Sequence, residues 1–219
     1  MLKFNIEVEK MDYRKLHHDR KKFLRENKRK SFAVIEGENK VILSAPHGVV
    51  QTRLGRAKVS EQGSLASVIY LQKKTKSYLI AKTRNYFDDA NFEANCEYKD
   101  EIDRLATMGK IKYLFDFHEL APSRDCDINL GTNLEQNTNV NTELLDKLIK
   151  LFQSNGFIVS CDFPYRGGGN AIAGYIKKRH RDMWTLQVEI NSKLTYRKEN
   201  FEKYMLLLDL FENFINELK

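Results

Sequence analysis

Cysteine is scarce and badly spaced for cross-linking. Cys96, Cys126 and Cys161 are odd in number, far apart and form no CxxC pair. That argues against a disulfide framework and for reduced thiols. Proline is as rare, with three in the chain. No linker rich in Pro, Gly or Ser, no repeat and no low-complexity stretch breaks the sequence. No apolar run approaches the length of a bilayer span, so no membrane partner is expected. Met1-Leu2-Lys3-Phe4-Asn5 lacks the parts of a secretory signal. With the thiols, this leads to an expectation of a cytoplasmic protein.

What remains is ordinary for a globular chain. The 219 residues are 42% apolar and 31% charged, enough for one domain with a sizeable core. The net charge is +7. Much of it lies in residues 14–30, where nine lysines and arginines, Arg14 to Lys30, face few acids. Residues 1–30 therefore read as a basic helical segment, and 31–219 as one compact catalytic unit. The basic run is compatible with a nucleic-acid contact, but aromatic interleaving is poor and no nucleic-acid motif appears. It reads first as a solvated helix face.

The patterning alternates strands and helices. Residues 11–30 read as a polar helix. Phe32 to Glu36 and Lys40 to Ala45 read as a strand pair around Glu36-Gly37-Glu38-Asn39. Helices are expected over 61–74, 98–108, 142–154 and 199–218. Strands are expected over 78–82, 112–117, 127–131, 157–161 and 185–190. This order predicts a three-layer α/β/α domain with a mixed, mostly parallel sheet.

Two histidines stand at the ends of such strands. His47 closes Val41-Ile42-Leu43-Ser44-Ala45-Pro46-His47-Gly48, and His118 closes Ile111-Lys112-Tyr113-Leu114-Phe115-Asp116-Phe117-His118. Ligands gather at the carboxyl ends of strands in open α/β sheets, so the two histidines suggest one site. Glu61 opens the next helix. Two histidines, one carboxylate and an open position form the ligand set of hydrolytic zinc sites. Glu119 competes with Glu61 for the third place, though it points to the opposite face if the strand continues. Asp116 shares the face of His118 and is placed to orient it. Glu189, a charge within a β-prone run, suits a general base. Arg84 and Asn91 follow the strand at 78–82 and offer an oxyanion partner and a substrate amide. Arg166, beside Gly167-Gly168-Gly169, offers a carboxylate partner.

The order Pro46-His47-Gly48, Glu61, Arg84, Asp89-Ala90-Asn91, Asp116-Phe117-His118 and Glu189 resembles the N-formylglutamate amidohydrolase family. That family is similar to the zinc carboxypeptidases and aspartoacylases. The resemblance spans about residues 32–191, in scattered motifs. It implies a carboxypeptidase-like fold and zinc held by His47, Glu61 and His118. It also implies Glu189 as the base that activates water and Arg84 as the group that polarises the scissile carbonyl. The activity implied is hydrolysis of an N-acyl amino acid or a short peptide; the rival from another class is a basic nucleic-acid-binding protein. The sequence departs from the carboxypeptidases at Val50, where their first glutamate would stand. It departs from the aspartoacylases at Phe92, where they carry an arginine that grips the substrate carboxylate. Arg166 is the expected substitute.

Overall fold

A computed structural model describes residues 12–133 and 141–218. Residues 1–11, which include the start of the expected basic helix, lie outside the described residues. Helix α1 (Tyr13–Glu26) begins where the Asp12 carboxylate accepts the Lys15 backbone N–H at 2.6 Å. Its Leu16 and Phe23 pack into the main core, so the basic run carries an apolar stripe.

The strands follow as β1 (Phe32–Ile35), β2 (Val41–Ala45), β3 (Gln51–Arg53), β4 (Arg56–Lys58), β5 (Tyr78–Lys82), β6 (Tyr113–Leu120), β7 (Ile128–Gly131), β8 (Val159–Cys161) and β9 (Trp184–Asn191). Seven form one sheet in the order β1-β5-β2-β6-β9-β7-β8, and β3 pairs with β4 alone. Strands β5, β2, β6 and β9 run parallel; β1 is antiparallel to β5, and β7 is antiparallel to β9 but parallel to β8. The sheet is thus mixed and mostly parallel, as the alternation of elements predicts.

Strands β1 and β2 are not the hairpin that the turn signal suggests. β5 lies between them, with Ala33 opposite Ala81 and Leu43 opposite Leu79. The reason is burial. Every residue of β2 is buried, so it needs neighbours on both edges; β1 is half-exposed and belongs at the rim. The chain crosses the start of β5 at Gly37, where a Cβ would fall 2.3 Å from the Tyr78 backbone nitrogen.

Helices cover both faces. α1, α2 (Gln62–Thr75), α4 (Thr142–Ser154), α6 (Ser192–Tyr196) and α7 (Phe201–Glu217) pack on one side against Leu43, Phe115, Phe117 and Val188. α3 (Glu97–Thr107) and α5 (Ile172–Arg179) pack on the other against Ile42, Ile80 and Leu114. No described helix is long and apolar enough to cross a membrane.

Candidate metal centre

The sheet face under α3 and α5 changes character along its length. It begins apolar with Ile42 on β2 and Leu114 on β6. With side chains alternating at period two, the same face continues as Ser44, then Asp116 and His118, then Gln187 and Glu189. Register aligns them: Ser44 with Asp116, Asp116 with Gln187, and His118 with Glu189. All five are buried at the carboxyl ends of parallel strands. Glu119 points to the other face. There its carboxylate accepts from the hydroxyls of Thr195 and Tyr196, not from the histidines.

Glu61 reaches the same place by a detour. Residues 48–60 leave the end of β2 as the β3–β4 hairpin, turning at Leu54-Gly55, both with positive φ. The Glu61 backbone N–H then donates to the His47 carbonyl at 2.8 Å and closes the base of the excursion. The fourteen-residue separation in sequence therefore brings Glu61 back beside His47, whereas Val50 lies exposed. Glu61 takes the position before the first turn of α2 but makes no capping bond. Its carboxylate turns to the histidines instead.

His47 Nδ1 lies 2.9 Å from Glu61 Oε1, and His118 Nδ1 lies 3.2 Å from Glu61 Oε2 and 3.1 Å from His47 Nδ1. The opposite ring nitrogens are both taken. His47 Nε2 is 2.9 Å from Asp89 Oδ1, and His118 Nε2 is 3.0 Å from Asp116 Oδ2. A carboxylate only accepts, so each Nε2 carries a proton, and in the neutral ring each Nδ1 turns a lone pair inward. Two lone pairs and a carboxylate facing one another at about 3 Å repel unless a cation lies among them. For ligands 2.0–2.1 Å from a tetrahedral zinc, ligand–ligand distances are about 3.3–3.4 Å. The observed spacings come close to that, so the donor set fits zinc. Buried carboxylates behind both histidines are the usual support of such a ligand set.

The cluster's charges favour the protonated His118 ring, so a metal ion would take the place of its Nδ1 proton. Burial pushes the Glu61 carboxyl up, but the charge of His47 and hydrogen bonds from His118 and His47 overcome it and hold the group well below its ordinary range. Burial pulls His118 down, yet Asp116 and Glu61 carry it well above its ordinary value. Glu189 is raised, chiefly by burial, and accepts from Gln187 Nε2 at 2.6 Å.

A cleft of about 890 Å³ opens on this cluster. Asn91, Arg166 and Glu189 line it with the ligand set. Asn91 Oδ1 accepts the Ile172 N–H at 2.9 Å, fixing the amide at the start of α5. Gly167 (φ +71°) packs the glycine loop against Gly131 at the end of β7 and so holds Arg166 at the rim. The structure does not bring Arg84 to the cleft. Its side chain is exposed, with the guanidinium 5.4 Å from the Tyr86 ring centre, because the chain turns outward after β5. Besides Arg166, the arginine lining the cleft is Arg53, from the hairpin. It donates to Asp89 Oδ2 at 2.8 Å and lies 5.0 Å over the ring of Phe92. Phe92 thus carries a guanidinium on its face, although it is not itself an arginine.

Sequence reasoning left Asp89, Arg53, Lys58 and Gln187 without roles. Gln187 was accessible by period two from Glu189. Asp89 was visible as an acid in the same short segment as Asn91. The hairpin cations had no signal, because Gln51 to Lys58 shows no apolar alternation.

No family model matches the sequence, and no curated protein does. Solved structures do match in fold. The gene product Atu2144 of Agrobacterium tumefaciens superposes with a TM-score of 0.64 at 13% identity, over 92% of this chain and all of that one. An N-formylglutamate amidohydrolase from Ralstonia eutropha JMP134 gives 0.57 at 15%, over 86% and 96%. A bacteriophage poly-gamma-glutamate hydrolase gives 0.51 at 15%, over 86% and 87%. The likeness read from scattered motifs is thus met by a likeness of fold over most of the chain.

Proposed function

We propose that this protein is a zinc-dependent amidohydrolase acting on an N-acyl amino acid, of which N-formylglutamate is the model substrate. The observation that carries the reading is the convergence of His47 Nδ1, His118 Nδ1 and the Glu61 carboxylate, with both Nε2 atoms held by buried aspartates. The activities named for the Ralstonia and bacteriophage structures, both amide hydrolyses, support the reaction class. When bound, zinc would supply Lewis acidity toward the scissile carbonyl and toward the attacking water.

The chain's own groups do the rest. Glu189, beside His118 in register and steadied by Gln187, takes a proton from the attacking water and delivers it to the departing nitrogen. Burial raises its pKa, which favours the proton it must hold between the two transfers. Gln187 Oε1 is buried without a partner and lines the cleft, ready to accept an N–H of the substrate. Arg53 takes the place by the reacting carbonyl that the resemblance implied for Arg84. Arg166 and the Asn91 amide bind the substrate carboxylate, which would be costly to desolvate without a cation. The cytoplasm is the proposed place of this activity, on the strength of the three unpaired cysteines.

The test is a panel of N-acyl amino acids and short peptides, with N-formylglutamate included. The expected result is hydrolysis of an N-acyl amino acid that a chelator abolishes and zinc restores. Cleavage of peptides alone would move the reading to a peptidase on the same scaffold. No turnover of either class by zinc-loaded protein would overturn it.

A further inference from the structure

One cation already touches the ligand set. Lys58, the last residue of β4, places Nζ 2.7 Å from His47 Nδ1 and 2.7 Å from Glu61 Oε1. Its side chain is about one-third exposed, so the ammonium reaches inward from the wall of the cleft. An ammonium has three donors and no acceptor. It therefore takes from His47 the lone pair that faces the other ligands.

That lone pair is the crux. His47 Nε2 is committed to Asp89, so Nδ1 has one lone pair and can give it once. Either the ammonium or a metal ion holds it. Glu61 Oε1 is similarly shared, although a carboxylate oxygen has a second lone pair. The rest of the hairpin is held independently of Lys58. The Thr52 N–H donates to the Asp88 carbonyl at 3.1 Å, and Arg53 binds Asp89. Arg56 and Ala57 on β4 are exposed. The strand that carries Lys58 is thus the outer one, and its lysine can leave the ligand set without unpicking β3 from the body of the fold.

We propose that Lys58 is a tethered stand-in cation: it keeps His47 and Glu61 assembled before metal arrives and must withdraw for metal to bind. Metal loading is then coupled to the β4 arm of the hairpin, at the mouth of the same cleft. The inference rests on the metal reading above and adds a competitor to it.

The experiment compares wild type, Lys58→Met and Lys58→Gln, with His118→Ala as the control for the ligand set. Zinc affinity is read by competition with a chromophoric chelator, and the Tm of each metal-free protein by thermal unfolding. Removing one like charge from contact with an incoming cation should tighten zinc binding at least about tenfold in both Lys58 variants. Their metal-free forms should melt below metal-free wild type, so the rise in Tm on adding zinc should be larger in the variants. If His118→Ala loses zinc while both Lys58 variants bind it no more tightly than wild type, the ligand reading stands and this proposal is overturned. If His118→Ala binds zinc as wild type does, the ligand reading falls and this proposal falls with it.

Discussion

The two walls of the cleft are built differently. The ligand wall is made of strand ends. His118 and Glu189 are buried on adjacent parallel strands, and each ring nitrogen of both histidines has a partner within 3.2 Å. The opposite wall is made of a loop. Arg166 and Gly169 are exposed, and Phe163, Tyr165 and Asn170 around them are exposed too. One wall holds its groups by buried hydrogen bonds; the other presents side chains to solvent. Chemistry that depends on geometry belongs to the first, and recognition that tolerates adjustment to the second. Substitutions on the ligand wall should therefore change rate or metal affinity steeply, and those on the loop wall should change substrate affinity gently.

The sharpest way to break this comparison is Glu189→Gln. It preserves shape and removes the proton carrier, so zinc should be retained while kcat falls about 10²–10⁴-fold. Loss of zinc would make Glu189 a ligand instead. Next is Asp89→Asn, which leaves His47 in place but weakens the hold on its Nε2. Zinc affinity should drop about 10–100-fold in chelator competition. An unchanged affinity would show that Asp89 does not support the ligand.

On the loop wall, Arg166→Ala should raise KM with little change in kcat, the mark of binding shared by ground and transition states. A fall in kcat alone would place Arg166 at the reacting carbonyl and erase the contrast between the walls.

The smallest effect is on stability. Burial chiefly raises the Glu119 carboxyl from its ordinary 4.5 to about 7. A group raised in this way favours the fold below pH 4.5 and loses that contribution as pH climbs through about 7. Relative to wild type, Glu119→Gln should therefore gain Tm, in metal-free protein, between pH 5 and pH 8. A difference that does not move with pH would mean that Glu119 ionises as it does in the unfolded chain.

The contrast between the walls also explains what the sequence made legible. Strand-borne groups could be read, because period two fixes which residues share a face. His118, Asp116 and Glu189 follow from that alone, and the sheet's parallel core follows from apolar runs separated by helices. Groups placed by long-range closure could not be assigned. Nothing local says that Glu61 N–H bonds the His47 carbonyl across a hairpin, or that Arg53 rather than Arg84 enters the cleft. Sequence order gives the arginines but not their directions. The β1–β2 pairing failed for the same reason: a turn signal is local, whereas the insertion of β5 is decided by which strand must be buried on both edges.

The central claim is that His47, Glu61 and His118 form one divalent metal site. It is tested most directly by titrating metal-free protein with cobalt(II) and following the visible d–d spectrum, in wild type and in His118→Ala. The account predicts saturation at about one ion per chain with the intense bands of a tetrahedral N,O site in wild type, and their loss in the variant. No saturable band in wild type, or the same band in both proteins, would contradict it.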